Sequence, residues 1–241
     1  MNFTNRSVGD IVAENYHAAG VFRQYGIDFC CGGGQLLSAI CEKKGVSLET
    51  VQEELESVYG KEDCGSENYS DWSPSFLIDY IINRHHTFVR NKTPEIAVYA
   101  AKVSRVHGEK HPENREIFEI FTRLANKLME HLGSEESTVF PLIRSVSEAM
   151  ENGNAVPAGM LKDLKLELNK MEEEHEAAGE AMRQIRNLSN GFTPPQDACT
   201  TYRILYKNLE GFENDLHKHV HLENNILFRK AEGLLGQHFC Q

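Results

Sequence analysis

The sequence predicts an all-α protein: an up-down-up-down bundle of four long helices preceded by a small helical domain. Three observations predict it. Apolar residues recur at steps of three and four over four long segments. No β-branched run alternates cleanly over the length of a strand. The connections between the long segments are short and built from Gly, Pro and Asn, which suits antiparallel neighbours.

Residues 1–57 read as the small helical domain. A helix start stands at Ser47, with Glu49 and Glu53 in the early turns. Residues 58–74, VYGKEDCGSENYSDWSP, are polar and lack an apolar period, and read as a linker. Residues 75–241 hold the bundle. Its helical segments fall at 75–92, 113–146, 158–189 and 196–234, with an extra helical piece at 94–108 after a break at Pro94. The turn before the third segment is Glu151-Asn152-Gly153-Asn154-Ala155-Val156-Pro157. The turn after it is Asn190-Gly191-Phe192-Thr193-Pro194-Pro195, where Gly191 can stop one helix and Pro194 or Pro195 can begin the next.

Composition narrows the function. The net charge of -11 argues against sequence-independent nucleic-acid binding, which needs a basic footprint. No run of about 18 apolar residues occurs, so no membrane span is expected. The first residues show no charged region leading into an apolar one, so no secretory signal is expected. In that setting six Cys and eleven His read as thiol or metal chemistry rather than a disulfide scaffold.

The helical phase says where a metal would sit. The second stripe runs Ile117, Phe121, Leu124, Leu128, His131, Glu135, Val139, Leu142. The third runs Leu164, Leu168, Met171, His175, Ala178, Met182, Ile185. The fourth runs Leu209, Phe212, Leu216, His219, Glu223, Ile226. Each stripe passes through polar residues without changing phase, so the helices turn His and Glu inward. Buried carboxylates need partners, and a metal serves several at once. In the first segment Ile78-Ile82-His86-Val89 and Leu77-Ile81-His85-Phe88 are equally good stripes, so periodicity leaves His85 and His86 open. From His86 the intervals to His131, His175 and His219 are 45, 44 and 44 residues, one His per helix at a similar depth. His131 with Glu135, and His219 with Glu223, are four apart and share a helix face. Four imidazoles and two carboxylates suit iron or manganese, and a metal pair bridged by Glu135 and Glu223 would use all six. Mg or Ca would take more oxygen, and structural Zn usually takes four ligands. A rival Glu-x-x-His pattern, Glu172 with His175 and Glu14 with His17, places one pair in the small domain and the other in an acidic run that reads as a solvated face. His217 and His221 flank the fourth stripe and read as surface or supporting residues, and His107 and His111 as a loop pair.

The small domain carries a second candidate. Asp28-Phe29-Cys30-Cys31-Gly32-Gly33-Gly34 precedes the helix-like Gln35–Cys41. Two adjacent thiols before a helix N-terminus can be made reactive by the helix amides, and the glycines allow close approach to the backbone. Cys41, Cys64, Cys199 and Cys240 are scattered and receive no role.

Several dispersed motifs in order resemble the iron-sulfur cluster repair di-iron proteins, a hemerythrin-like family. They are Asp28-Phe29-Cys30-Cys31-Gly32-Gly33, Glu135-Glu136 with Val139-Phe140-Pro141, Glu174-His175-Glu176-Ala177-Ala178-Gly179-Glu180, Thr193-Pro194-Pro195 with Ala198-Cys199-Thr200-Thr201, and His219 to Phe228. The resemblance implies a hemerythrin-like bundle holding two non-haem iron ions, bridged by carboxylate and by oxide or hydroxide. It selects His86 over His85 and supports His131, Glu135, His175, His219 and Glu223. It implies a cytoplasmic protein, a dimer, whose partners are iron-sulfur proteins damaged by nitric oxide or oxidative stress. Cys30 and Cys31 would be its redox or iron- and NO-handling thiols. The alternatives are a di-iron nitric oxide reductase and a hemerythrin-like carrier or sensor of oxygen or NO. Relatives can carry a carboxylate four residues before the second-helix His, and here Lys127 stands there.

Overall fold

The computed structural model describes residues 3–59 and 68–238. Residues 60–67 of the expected linker, Cys64 and Cys240 lie outside the described residues. The helices are α1 (Val8–Glu14), α2 (Ala18–Gln24), α3 (Leu37–Lys44), α4 (Leu48–Tyr59), α5 (Pro74–Ile81), α6 (Thr87–His107), α7 (Glu113–Ser134), α8 (Phe140–Glu151), α9 (Ala158–Leu188), α10 (Thr200–Leu222) and α11 (Phe228–His238). Among the described residues the only strand-like pairing is a single bridge between Ser7 and Leu36. The all-α class therefore holds. Three π turns, Ile82–His86, Glu135–Val139 and Glu223–Leu227, interrupt the long helices. Such wide turns recur at functional sites.

The chain forms two compact units. One comprises the described residues up to Leu77 together with those from Lys218 onward; the other is Ile78–His217.

In the first unit, α4 starts at a real N-cap, since the Thr50 amide donates to Ser47 Oγ at 3.2 Å. Val8, Ile11, Phe22, Leu37 and Leu55 are fully buried and form its core. The helix expected from Gln35 begins two residues later, because Leu36 is extended.

The second unit contains the four-helix bundle. α6 packs on α7, and α7 and α8 on α9. α10 joins them through Phe212, whose ring meets Phe121 at 5.5 Å and Phe88 at 6.3 Å. The apolar stripe of α9 is buried throughout. Two expected breaks are corrected. Helix α6 runs unbroken through Pro94. An interior proline costs about 3 kcal/mol, and burial of Val89, Ile96, Ala100 and Val103 along the same helix offsets it. Helix α10 starts at Thr200, not at the prolines. The Arg203 amide donates to the Cys199 carbonyl at 3.1 Å, so Pro194 and Pro195 belong to the preceding loop. That loop begins with three left-handed residues, Asn190, Gly191 and Phe192. Phe192 accepts this strained backbone while its ring is buried beneath the Arg186 guanidinium.

Candidate metal centre

In the second unit, His86 ends the first π turn, Glu135 begins the second, and His131 and His175 come from α7 and α9. All four are buried. Glu135 reaches both ways: Oε2 stands 3.3 Å from His86 Nε2, and Oε1 stands 3.2 Å from His131 Nε2. His175 Nε2 is 3.0 Å from His131 Nε2 and 3.8 Å from Glu135 Oε1. At metal–nitrogen bonds of about 2.1 Å, two ligands at right angles stand about 3 Å apart. The His131–His175 spacing is therefore what one shared cation needs. A carboxylate with an oxygen toward each of two imidazole groups has the arrangement of a bridge.

The outer ring nitrogens are held by carboxylates. His86 Nδ1 meets Glu136 Oε1 at 2.6 Å, and His131 Nδ1 meets Glu174 Oε2 at 2.7 Å. An Nδ1–H donated to a carboxylate fixes the tautomer with a lone pair on Nε2 and makes that nitrogen a stronger donor to metal. Burial acts to raise the Glu136 carboxyl, but hydrogen bonds from Arg90 and His86 outweigh it and hold it below the usual range. It stays ionised, as a support for an imidazole must. His85, also buried, turns elsewhere: its Nδ1 meets Asp215 at 3.1 Å.

In the first unit, His219 Nε2 and Glu223 Oε1 lie 3.0 Å apart, both buried, where α10 gives way to the third π turn. His221, expected at the surface or as a support, is fully buried beside Phe29 and Tyr16. Burial pushes it down to about 3, so it is a neutral imidazole. Glu172, Glu14 and His17 of the rival pattern are exposed, as is Lys127.

Cys30 and Cys31 are not joined by a disulfide, and their sulfurs lie 3.9 Å apart. The amides of Cys30 and Cys31 donate to Asp28 Oδ1, each at 3.0 Å, and the Cys30 thiol points at the same oxygen at 3.2 Å. The backbone donors thus serve a carboxylate, not a thiolate as the motif suggested. Burial alone would raise Asp28, but the Cys30 thiol and the amides of Gly32, Cys30 and Cys31 bring it below its ordinary value. The Cys30 thiol is pushed well up, first by its hydrogen bond with Cys31 and then by burial. Sequence reasoning missed Asn225, whose amide donates to the carbonyls of Phe29 at 3.2 Å and Cys30 at 3.0 Å. The clue lay only in its place beside Glu223.

Residues 77–231 match the model of the hemerythrin HHE cation binding domain, and residues 4–59 match a domain of unknown function, DUF542. The chain is 34% identical, over 96% of its length and 98% of the relative's, to the iron-sulfur cluster repair protein YtfE of Yersinia pseudotuberculosis serotype IB (strain PB1/+). The chain belongs to this hemerythrin-like repair family. The same name and the same 34% over 96% of the chain recur in Yersinia pestis (strain Pestoides F), with 98% of that relative covered. In Y. pseudotuberculosis serotype O:3 (strain YPIII) the identity is 33% over 96% of the chain and 98% of the relative. The matched domain is a cation binding one, and His86, His131, Glu135, His175, His219 and Glu223 all lie within the matched stretch. Among the described residues no helix is long and apolar enough to cross a membrane.

Proposed function

We propose that this chain repairs damaged iron-sulfur clusters and that its bundle holds two iron ions. The observation that carries the reading is the Glu135 carboxylate, with one oxygen toward His86 and the other toward His131. In this reading His86, His131, His175 and His219, with Glu135 and Glu223, would hold the iron. The donor set fits iron: imidazole nitrogens and carboxylates, without thiolate, in a buried shell. Bound iron supplies redox and Lewis-acid chemistry and a store of transferable metal. The protein residues do the rest. Glu136 and Glu174 hold the Nδ1 protons and keep the Nε2 lone pairs inward. The surrounding apolar stripe excludes water. Cys30 and Cys31 offer soft ligands for iron or NO in transit, and the dithiol pair has Asp28 as an ionised neighbour. The partners are iron-sulfur proteins of the cytoplasm whose clusters have been damaged by NO or oxidants, and the protein acts as a homodimer.

The test is reconstitution. An NO-damaged iron-sulfur enzyme is incubated with iron-loaded protein, and recovery of its cluster absorbance is followed. The Glu135→Ala plus Glu223→Ala variant is expected to lose iron and recovery together. Full recovery with an iron-free variant would end this reading.

A further inference from the structure

The Cys30–Cys31 peptide is gripped at both of its polar ends. Its carbonyl, on Cys30, accepts from Asn225 Nδ2 at 3.0 Å. Its N–H, on Cys31, donates to Asp28 Oδ1 at 3.0 Å. Asn225 is itself tightly seated. Its Nδ2 also reaches the Phe29 carbonyl at 3.2 Å and lies 3.3 Å from His221 Nδ1, while its Oδ1 accepts from Arg229 at 3.3 Å. Arg229 pairs in turn with Asp10. A Cβ on Gly9 or Gly33 would collide with the Asn225 amide oxygen, so the glycine that follows Cys31 by two is required by Asn225. All of these residues lie within the first unit.

Adjacent cysteines can form a disulfide only by distorting the peptide between them. Consecutive Cα atoms across a trans peptide stand about 3.8 Å apart, whereas a disulfide usually spans roughly 4.4–6.8 Å. Closing the ring turns the peptide out of its plane, and here that turn would break the bonds to Asn225 and Asp28 together. The two sulfurs are held 3.9 Å apart, beyond bonding distance.

We propose that Asn225 is a positioning residue that pins the Cys30–Cys31 peptide and keeps the pair as an open dithiol, able to take a soft metal ion, instead of a closed disulfide. The inference rests on the thiol part of the function proposed above, but its test reads thiol oxidation and not repair. The oxidant is a low-molecular-weight disulfide. In the first step one cysteine sulfur attacks it, forming a mixed disulfide and releasing one small thiol. In the second, the neighbouring sulfur attacks the mixed disulfide, the Cys30–Cys31 bond forms, and the second small thiol leaves. The small disulfide is reduced to two thiols, and the cysteine pair loses two electrons and two protons.

Oxidised glutathione serves as the probe on the full chain, with quenching by acid and mass analysis of the Cys30–Cys31 peptide. The Asn225→Asp variant keeps the size of the side chain but loses the donors. The ring-closing step is expected to speed up roughly fivefold to tenfold, the value of one hydrogen bond, while mixed-disulfide formation stays within about twofold. A merely structural role would change both steps alike. Asp28→Ala, which frees the other end of the peptide, is expected to act in the same sense and covers the case in which Asn225→Asp fails to fold. Equal closing rates in wild type and folded variants, or rapid complete closure in wild type, would overturn the proposal. Loss of repair in a Cys30→Ser variant with unchanged closing kinetics at Asn225 would separate the two readings: the thiols would matter and the pinning would not.

Discussion

Glu174 illustrates how a residue can be visible in sequence and its work invisible. It sits in the acidic run Glu172-Glu173-Glu174, which reads as a solvated face, and Glu172 and Glu173 are indeed exposed. Its partner, His131, lies 43 positions away on α7, so no local pattern could pair them. Carboxylates behind a ligating imidazole typically contribute 10- to 100-fold in metal affinity. Glu174→Ala is therefore expected to weaken iron binding by about 10- to 100-fold, measured by competition with a chelator, with helicity unchanged. His86 and His85 tell a similar story: periodicity made them equivalent, the family resemblance favoured His86, and the cross-helix partners, Glu135 and Glu136 against Asp215, distinguish them in the fold. At Asp28 the prediction concerns pH. Its carboxyl is lowered in the fold, so its ionised form adds stability that is present above the unfolded value of about 4 and is lost as pH falls through the folded one. Asp28→Asn should be less stable than wild type in urea near about pH 6, and the gap should close on acidification below about pH 4. A gap that persists unchanged in acid would contradict the assignment.

The elements were legible where burial repeats in phase and illegible where the helix changes pitch. The stripe of α9 reads straight from Leu164 to Ile185, because nothing interrupts the α-helical period. The π turns left only a faint trace, the two successive four-residue steps from His131 through Glu135 to Val139. A period near 3.6 absorbs one wide turn without an obvious fault. A single wide turn offsets the following helix by about one residue, near 100° of rotation. Deleting Ser137 should convert Glu135–Val139 to ordinary α-helix and swing α8 relative to α7. The expected outcome is nearly unchanged helical circular dichroism with most of the iron lost, checked by metal analysis. Retention of full iron would mean that the wide turn has no part in aiming Glu135. The expectations at Pro94 and at Pro194 or Pro195 fail for one shared reason. Proline preferences are local, and burial along α6 and the start of α10 at Thr200 were decided by packing.

At the scale of the molecule, the fold class followed from periodicity, while the grouping into units did not. The first unit joins the N-terminal residues to those from Lys218 onward, an association across most of the chain that composition cannot announce. It gives Asn225 and the thiol loop a common framework, tied by hydrogen bonds spanning 195 and 196 positions. The net charge of -11 contributed least, bearing only on nucleic acid. The central claim is that Glu135 and Glu223, with four histidines, hold a pair of iron ions. The most direct test is iron per chain by elemental analysis after anaerobic loading and desalting, read with the Mössbauer spectrum of the oxidised protein. Wild type should keep two iron ions per chain as a coupled ferric pair, and Glu135→Ala plus Glu223→Ala should keep almost none while remaining helical. One isolated iron in wild type, or a coupled pair surviving in the double variant, would contradict the account.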